Sequence, residues 1–209
     1  MTHDHSPPPR CAGGGIGLHS EFDAIAFERA ITDLLTACGL ASDEPHTRQT
    51  ARRVRTLWQQ RLLGGYDIDP ASVLGEGFAD DQRDMVIIRD IAVHGICPHH
   101  LLPFHGHAHV AYIPGGRLHG FGRIARLVDA LGHRFTYQEW LTHDIADALL
   151  TYGQAAGAAC VIEAEQLCLL LGEDRRGDER VVTQAFVGCL KHSPQLRGEF
   201  LQTLGRQTS

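Results

Sequence analysis

Residues 94–109, HGICPHHLLPFHGHAH, hold the side chains of this chain that are best suited to bind a metal ion. Cys97 and His100 stand three residues apart, and this spacing lets a thiolate and an imidazole bind one ion from a tight turn. His99 lies between them, and histidine recurs at positions 105, 107 and 109. Because a catalytic zinc takes three protein ligands and a structural one takes four, at least one more ligand must come from elsewhere. Spacing alone leaves three candidates in strand-like runs: Cys160, Cys168 and Cys189.

The alternative interpretation is that Cys97 is a small buried apolar residue and that the neighbouring histidines are ordinary loop residues. Two adjacent histidines, three further histidines close by and hydrophobic strand patterns on either side all favour a metal site instead. The sequence therefore predicts a metal-binding turn between two strands.

Composition excludes several classes of function. The 209 residues suffice for one domain with an extension, and 43% hydrophobic and 21% charged residues are typical of a globular protein. A net charge of −6 argues against a general nucleic-acid or anionic membrane surface. The chain has neither an apolar run of membrane-spanning length nor the hydrophobic core of a signal peptide, so we expect a cytoplasmic protein. In a reducing compartment its six scattered cysteines are expected to be free thiols or metal ligands.

The order of hydrophobic patterns predicts the architecture. Three regions are expected: a disordered tail (1–19), a helical segment (20–66) and a catalytic domain (67–209). Paired strands on either side of a helix pair favour an α+β fold with an antiparallel sheet. The predicted helices occupy residues 20–39, 46–63, 124–131, 137–152 and 194–204. The predicted strands occupy residues 84–93, 106–113, 159–171 and 181–190, and residues 66–83 are expected to form a loop.

Several separate motifs resemble one known family. From about residue 50 to the C-terminus the chain carries, in order, CPHH, AYIP, GFGRIARLVDAL, YQEWLT, QLCLLL and LKHSPQLRGEFL. Together they resemble the GTP cyclohydrolase I family. This resemblance implies the tunnelling fold, a four-stranded antiparallel sheet with a helix pair between strands 2 and 3, preceded by N-terminal helices. It also implies a homo-oligomer, a decamer of two stacked rings, in which neighbouring sheets close into a barrel.

The resemblance assigns the metal ligands and the reaction. It makes Cys97, His100 and Cys168 the ligands of a catalytic Zn²⁺ with one position left for water. In the family this water attacks C8 of the guanine ring, formate is released, and the sugar closes to a dihydropterin. His99 corresponds to the family's proton-transferring histidine beside the metal, and an imidazole suits that role. The alternative for His99 is a spectator beside the ligands.

The resemblance also assigns the substrate contacts. Gln138 and Glu139 correspond to the pair that recognises the guanine edge, and a carboxylate can accept from both N1–H and the exocyclic amine. Arg123, Arg126 and Arg53 correspond to basic residues of the triphosphate pocket. Without the resemblance, Glu139 would be interpreted as a solvated acid in the first turn of a helix, and the arginines as surface charges.

The chain departs from the family at four positions. Gln166 replaces a second active-site histidine, and although its amide can bind substrate, it cannot deliver a proton near neutral pH. Gly172 replaces a phosphate-contacting arginine, Thr56 a basic residue and Gly122 a serine of the phosphate loop. The three arginines that could compensate are Arg55, Arg175 and Arg176.

The leading hypothesis is a zinc hydrolase that converts GTP to 7,8-dihydroneopterin triphosphate and formate. One alternative within this class is a paralogue that stops at the ring-opened formamidopyrimidine, and another is one that uses a less phosphorylated purine. A different class is a non-catalytic paralogue in which zinc is structural and the assembly binds a ligand or regulates a partner. A pterin- or deazaguanine-converting enzyme with the same structural unit is a third possibility. We expect no nucleic-acid or membrane partner.

Overall fold

The N-terminal part of the chain folds into two packed helices. The computed structural model describes residues 14–18, 20–172 and 179–205. Helix α1 (Ala24–Ala37) starts where Asp23 Oδ1 accepts hydrogen bonds from the amides of Ile25 and Ala26, at 3.0 and 2.9 Å. Helix α2 (Thr50–Leu57) continues into a π-helical turn (Trp58–Leu62). Both predicted helices are confirmed. Of the predicted tail only residues 14–18 are described, and Arg175 and Arg176 lie outside the described residues.

The expected loop at residues 66–83 contains short regular elements. A 3₁₀ turn (Gly64–Asp67) leads to helix α3 (Pro70–Leu74), which is capped by the Asp69 carboxylate at 3.0 Å from the amide of Ser72. Strand β1 (Phe78–Ala79) then pairs with β4 (Arg117–Leu118). The prediction of an irregular loop was therefore wrong. The elements are too short for hydrophobic periodicity to reveal them.

The centre of the molecule is a four-stranded antiparallel sheet in the order β2-β3-β5-β6. Helices α4 (Phe121–Gly132) and α5 (Gln138–Thr151) lie between β3 and β5 in the chain. The predicted α+β class, with a helix pair between the second and third strands of this sheet, is confirmed. The strands are β2 (Val86–Ile96), β3 (Pro103–Ile113), β5 (Gly157–Gln166) and β6 (Val181–Gly188).

Two predicted strands end earlier than expected. Strand β5 stops at Gln166 and is followed by helix α6 (Leu167–Leu170), so Cys168 lies in a helical turn. Strand β6 stops at Gly188, whose φ of 59° turns the chain into helix α7 (Cys189–His192). The apolar residues of both turns continue the strand pattern, which is why the sequence extended it. Helix α8 (Pro194–Gly205) is the last element of the described residues, as predicted.

Each face of the sheet buries a hydrophobic core. The α4–α5 face contains the large fully buried residues Phe104, Tyr112, Ile145 and Ile162 among others. On the opposite face, helix α8 inserts Phe200 against Ala111, Ala159 and Val161. No helix in the described part of the chain combines the length and apolar character needed to cross a bilayer.

A pair of half-buried histidines joins β2 to the end of α4. The rings of His94 and His133 stack with centroids 4.1 Å apart. Burial lowers the pKa of both, that of His133 from 6.5 to about 4. His133 Nε2 lies 3.7 Å from Asp129 Oδ1, which is too long for a hydrogen bond. The folded protein therefore holds this pair neutral at pH values where an exposed histidine takes up a proton.

This pair predicts acid destabilisation. In the unfolded chain His133 takes up a proton as the pH falls through 6.5, whereas the folded protein does so only near 4. The free energy of unfolding is therefore undiminished by this group above pH 6.5. It decreases as the pH falls from 6.5 to 4, by about 1–2 kcal/mol after allowance for the partial exposure of His133. We expect His133→Gln to flatten the decrease of the thermal midpoint over this range, with exposed His143→Gln as control. An unchanged pH profile in His133→Gln would contradict the assignment.

Candidate active site

The turn between β2 and β3, residues 97–102, carries two of the candidate ligands and is called the metal turn below. The amide of Cys97 donates to Leu102 O at 3.0 Å, and the amide of Leu101 donates to Cys97 O at 2.9 Å. Leu101 adopts φ 56°, a left-handed conformation that lets the chain reverse within five residues. The closed turn brings Cys97 and His100 together at the end of the sheet.

The third candidate ligand arrives from β5. Strand β5 pairs with β3 so that Gln166 lies opposite Phe104, and the helical turn that follows places Cys168 beside the metal turn. The ligand atoms of Cys97, His100 and Cys168 all lie within 4.8 Å of one another. No other such group of three occurs within residues 14–18, 20–172 and 179–205. The remaining candidates are elsewhere: Cys160 is fully buried in the core, and Cys189 begins α7.

The donor set fits a divalent ion that prefers sulfur and nitrogen. Burial raises the pKa of the Cys168 thiol, and the neighbouring Cys97 raises it further. A bound cation favours the ionised form of the Cys168 thiol and so opposes this increase in its pKa. Two thiolates and one imidazole match a zinc site with three protein ligands. The residues can therefore hold a metal ion, and its binding must displace protons.

The trio predicts the response of metal binding to mutation and pH. Cys168→Ser removes one of two thiolates, so we expect metal content to fall from about one ion per chain to less than a tenth after dialysis. Because the thiols must lose protons, affinity should increase as the pH increases from 6 to 8. Metal analysis of the purified protein checks both. The matched control is exposed Cys38→Ser, and equal metal content in both variants would contradict the site.

A cavity of about 260 Å³ opens beside Cys97, one of the three candidate ligands. Exposed His99 reaches its edge, where its Nε2 lies 3.2 Å from Tyr137 Oη. Glu139, in the first turn of α5, is exposed to solvent. The lining consists of Cys97, His99, Phe104, Thr136, Tyr137, Gln138, Glu139, Gln166 and Val181.

The side-chain amide of Gln138 is buried and hydrogen-bonded within the protein. Its side chain is 3% exposed, and Nε2 donates to Ile162 O on β5 at 3.1 Å and to Val181 O on β6 at 2.9 Å. Its Oε1 accepts a hydrogen bond from Gln166 Nε2 at 2.5 Å. Both ends of this amide are therefore satisfied within the protein. Of the predicted guanine-recognising pair, Glu139 is the member with an exposed polar group.

Arg134 positions the metal turn, although nothing in the sequence analysis selected it. Its backbone lies beside the end of β2, where the amide of Ile96 donates to Arg134 O at 3.3 Å and the amide of Thr136 donates to Ile96 O at 3.1 Å. Its guanidinium is buried and donates to Gly65 O, Ala130 O, Ile68 O and Gly14 O at 2.7–3.1 Å. A Cβ on Gly65 would lie only 2.4 Å from Ala130 O, so the glycine permits this close approach.

The predicted phosphate-binding arginines lie outside this cavity. Arg123, near the start of α4, donates through Nη1 to Val73 O at 3.1 Å, and Arg126 is exposed on the same helix. From Arg123 to the end of α4 beside the metal turn the helix rises about 14 Å. Arg53 lines a separate groove of about 380 Å³ on α2. Within one chain the structure does not bring these three arginines to the metal ligands.

The positions that depart from the family pattern also have definite environments. Thr56 Oγ1 donates to Arg52 O at 2.9 Å, within its own helix. A Cβ on Gly122 would meet no atom within 4 Å among the described residues, so space does not demand glycine there. Arg55, a candidate for compensation, donates through Nε to Glu28 Oε1 at 2.9 Å and is thereby engaged between α1 and α2.

Comparison with known proteins places this arrangement in a family. The family model for GTP cyclohydrolase I matches residues 27–205. The chain belongs to the GTP cyclohydrolase I family. It is 66% identical over 185 residues to GTP cyclohydrolase 1 of Chromobacterium violaceum, covering 88% of this chain and 90% of that protein. It is 63% identical over 204 residues to GTP cyclohydrolase 1 of Ralstonia nicotianae, covering 97% of this chain and 98% of that protein.

Among solved structures, the chain is similar to archaeosine synthase QueF-Like in the apo form. The TM-score is 0.42 and the identity 16%, over 50% of this chain and 93% of that one.

Proposed function

We propose that this chain is a zinc-dependent GTP cyclohydrolase that converts GTP and water to 7,8-dihydroneopterin triphosphate and formate. The observation that carries the proposal is the group formed by Cys97, His100 and Cys168, which adjoins a cavity lined by His99 and Glu139. Three protein donors are the number that a catalytic zinc uses. Family membership supports the same reaction.

Glu139 recognises the guanine base in this proposal. Its carboxylate accepts hydrogen bonds from N1–H and from the exocyclic 2-amino group, whereas adenine offers no donor at N1. Gln138 supports this contact indirectly, because its three hydrogen bonds hold the start of α5 against β5 and against Gln166. The base is thereby oriented with C8 toward the three metal ligands.

His99 carries the proton transfers at C8 and at the imidazole nitrogen of the opening ring. A bound zinc ion would supply Lewis-acid activation of the attacking water. His99 follows Cys97 by two residues at the edge of the cavity, and an imidazole can both accept and donate a proton near neutral pH. Gln166 donates its amide hydrogen to Gln138 and cannot perform this transfer. The proposal therefore assigns to one histidine the steps that two share in the family.

The product of GTP tests the proposal directly. We expect the zinc-loaded protein to yield formate and a fluorescent dihydropterin from GTP. Mass spectrometry and absorbance detect the products, and GMP and guanosine are assayed in parallel. A stable product heavier than GTP by one water would place the block at the second hydrolysis, and Gln166→His should then restore pterin formation. Absence of both formate and pterin from all three substrates would refute the proposed reaction.

We further propose that the site is completed in a homo-oligomer, with the decamer as the specific expectation. The metal ligands and Glu139 lie at one end of the chain's sheet, while Arg123 and Arg126 are near the far end of α4. In addition, β2 and β6 are the outer strands of the sheet and present edges to which neighbouring subunits can pair.

The cytoplasm is the proposed compartment, because its reducing conditions keep both thiols available to the metal.

Mixing two inactive variants tests whether neighbouring subunits share the site. If Glu139 and Arg126 act in one site from different chains, co-assembly of Glu139→Gln with Arg126→Ala regenerates intact sites, about a quarter of the total for random mixing. We expect each variant alone to retain less than about a hundredth of the activity and the mixture to recover well above that. Glu139→Gln mixed with Asp147→Asn, an exposed position on the same helix, provides the reference for subunit exchange. No recovery in a demonstrably mixed assembly would exclude a shared site.

A further inference from the structure

The hydroxyl of Tyr137 lies directly against the proposed proton-transferring histidine. Tyr137 Oη is 3.2 Å from His99 Nε2, and the two rings have centroids 5.1 Å apart at 50°. Among residues 14–18, 20–172 and 179–205, Tyr137 is the one group that hydrogen-bonds to the His99 ring. His99 itself is exposed on the metal turn, so this contact is its main restraint from outside the turn.

Tyr137 is held firmly enough to act as such a restraint. It is the N-cap residue of α5, and its carbonyl accepts from the amide of Leu141 at 2.9 Å and from Thr136 Oγ1 at 3.2 Å. Its ring packs edge-on against Trp140 with centroids 4.9 Å apart at 83°. The hydroxyl therefore has a fixed position relative to the first turn of α5, which also carries Glu139.

We propose that Tyr137 is a positioning residue that holds the His99 imidazole in its productive orientation. The inference rests on the proposed function. A phenol hydroxyl can donate to a bare ring nitrogen or accept from a protonated one, so the contact fits either tautomer of His99. Through this bond the orientation of the proton-transferring ring is tied to the helix that binds the base.

The position of Gln166 explains why this restraint matters in this chain. Gln166 lines the same cavity, but its amide is directed to Gln138 and contributes no proton-transfer group. His99 is thus the only imidazole among the described residues that line the cavity. When one ring serves every proton transfer, a small displacement of that ring lowers the rate of each step.

The first test compares Tyr137→Phe with Tyr152→Phe in the zinc-loaded full chain. Both variants lose one phenol hydroxyl next to α5, but Tyr152 lies at the opposite end of that helix. For Tyr137→Phe we expect kcat for GTP to fall by about 10-fold with KM within about two-fold, at unchanged zinc content and thermal midpoint. Tyr152→Phe should retain wild-type kcat. A kcat within two-fold of wild type, or a loss that follows zinc content, would overturn the proposal.

The second test does not depend on turnover. Diethyl pyrocarbonate modifies accessible neutral imidazoles, and peptide mass spectrometry reports the rate at each histidine. Loss of the Tyr137 hydroxyl frees Nε2, so we expect His99 in zinc-loaded Tyr137→Phe to react severalfold faster than in wild type, relative to exposed His143 as internal reference. An unchanged relative rate would overturn the positioning role. If wild type converts no GTP, the proposed function fails while this measurement still decides the role of Tyr137.

Discussion

The position of the candidate site depends on the buried guanidinium of Arg134. It donates to the carbonyls of Gly14, of Gly65 and Ile68, and of Ala130 near the end of α4, so two segments distant in the sequence, residue 14 and residues 65–68, meet the end of α4 at one cation. A hydrogen bond to a charged group contributes about 1.5–3 kcal/mol, so independent movement of any of these segments away from the guanidinium is unfavourable. Because the backbone of Arg134 also pairs with Ile96, the same interaction fixes the strand end from which the metal turn departs.

Residues 134–139 connect Arg134 to the residues that line the cavity. Glu139 follows Arg134 by five residues and lines the cavity. Between these two residues, Tyr137 contacts His99, and Gln138 donates hydrogen bonds to β5 and to Val181 at the start of β6. None of these contacts involves a long flexible side chain reaching across solvent. The position of the Glu139 carboxylate relative to the metal turn is therefore set mainly by backbone and amide hydrogen bonds. This is the kind of preorganisation that lets a site bind a substrate with little loss of conformational entropy.

The sequence predicts the local features well and the long-range ones poorly. Alternating and helical hydrophobic periods predicted the four main strands and the helix pair, because those patterns are local. The spacing of Cys97 and His100 indicated a metal turn, but only the family resemblance selected Cys168, since its place depends on strand pairing and on a helical turn that looks like strand. Arg134 escaped prediction altogether. An arginine is normally interpreted as exposed, and its burial here depends on carbonyls contributed by distant segments.

The residues predicted to contact the base and those predicted to contact the phosphates lie apart in this chain, and only the former line the cavity beside Cys97. Gln138 is buried among three hydrogen bonds, so a change there would disturb β5, β6 and the cavity together. Thr56 is instead half-buried on α2 and Gly122 is exposed on α4, and neither belongs to the group of metal ligands. The departures from the family pattern on these two helices therefore change positions away from the three candidate metal ligands. Gln166 is the exception, because it lines the cavity, and under the proposed function it leaves proton transfer to His99, which Tyr137 contacts.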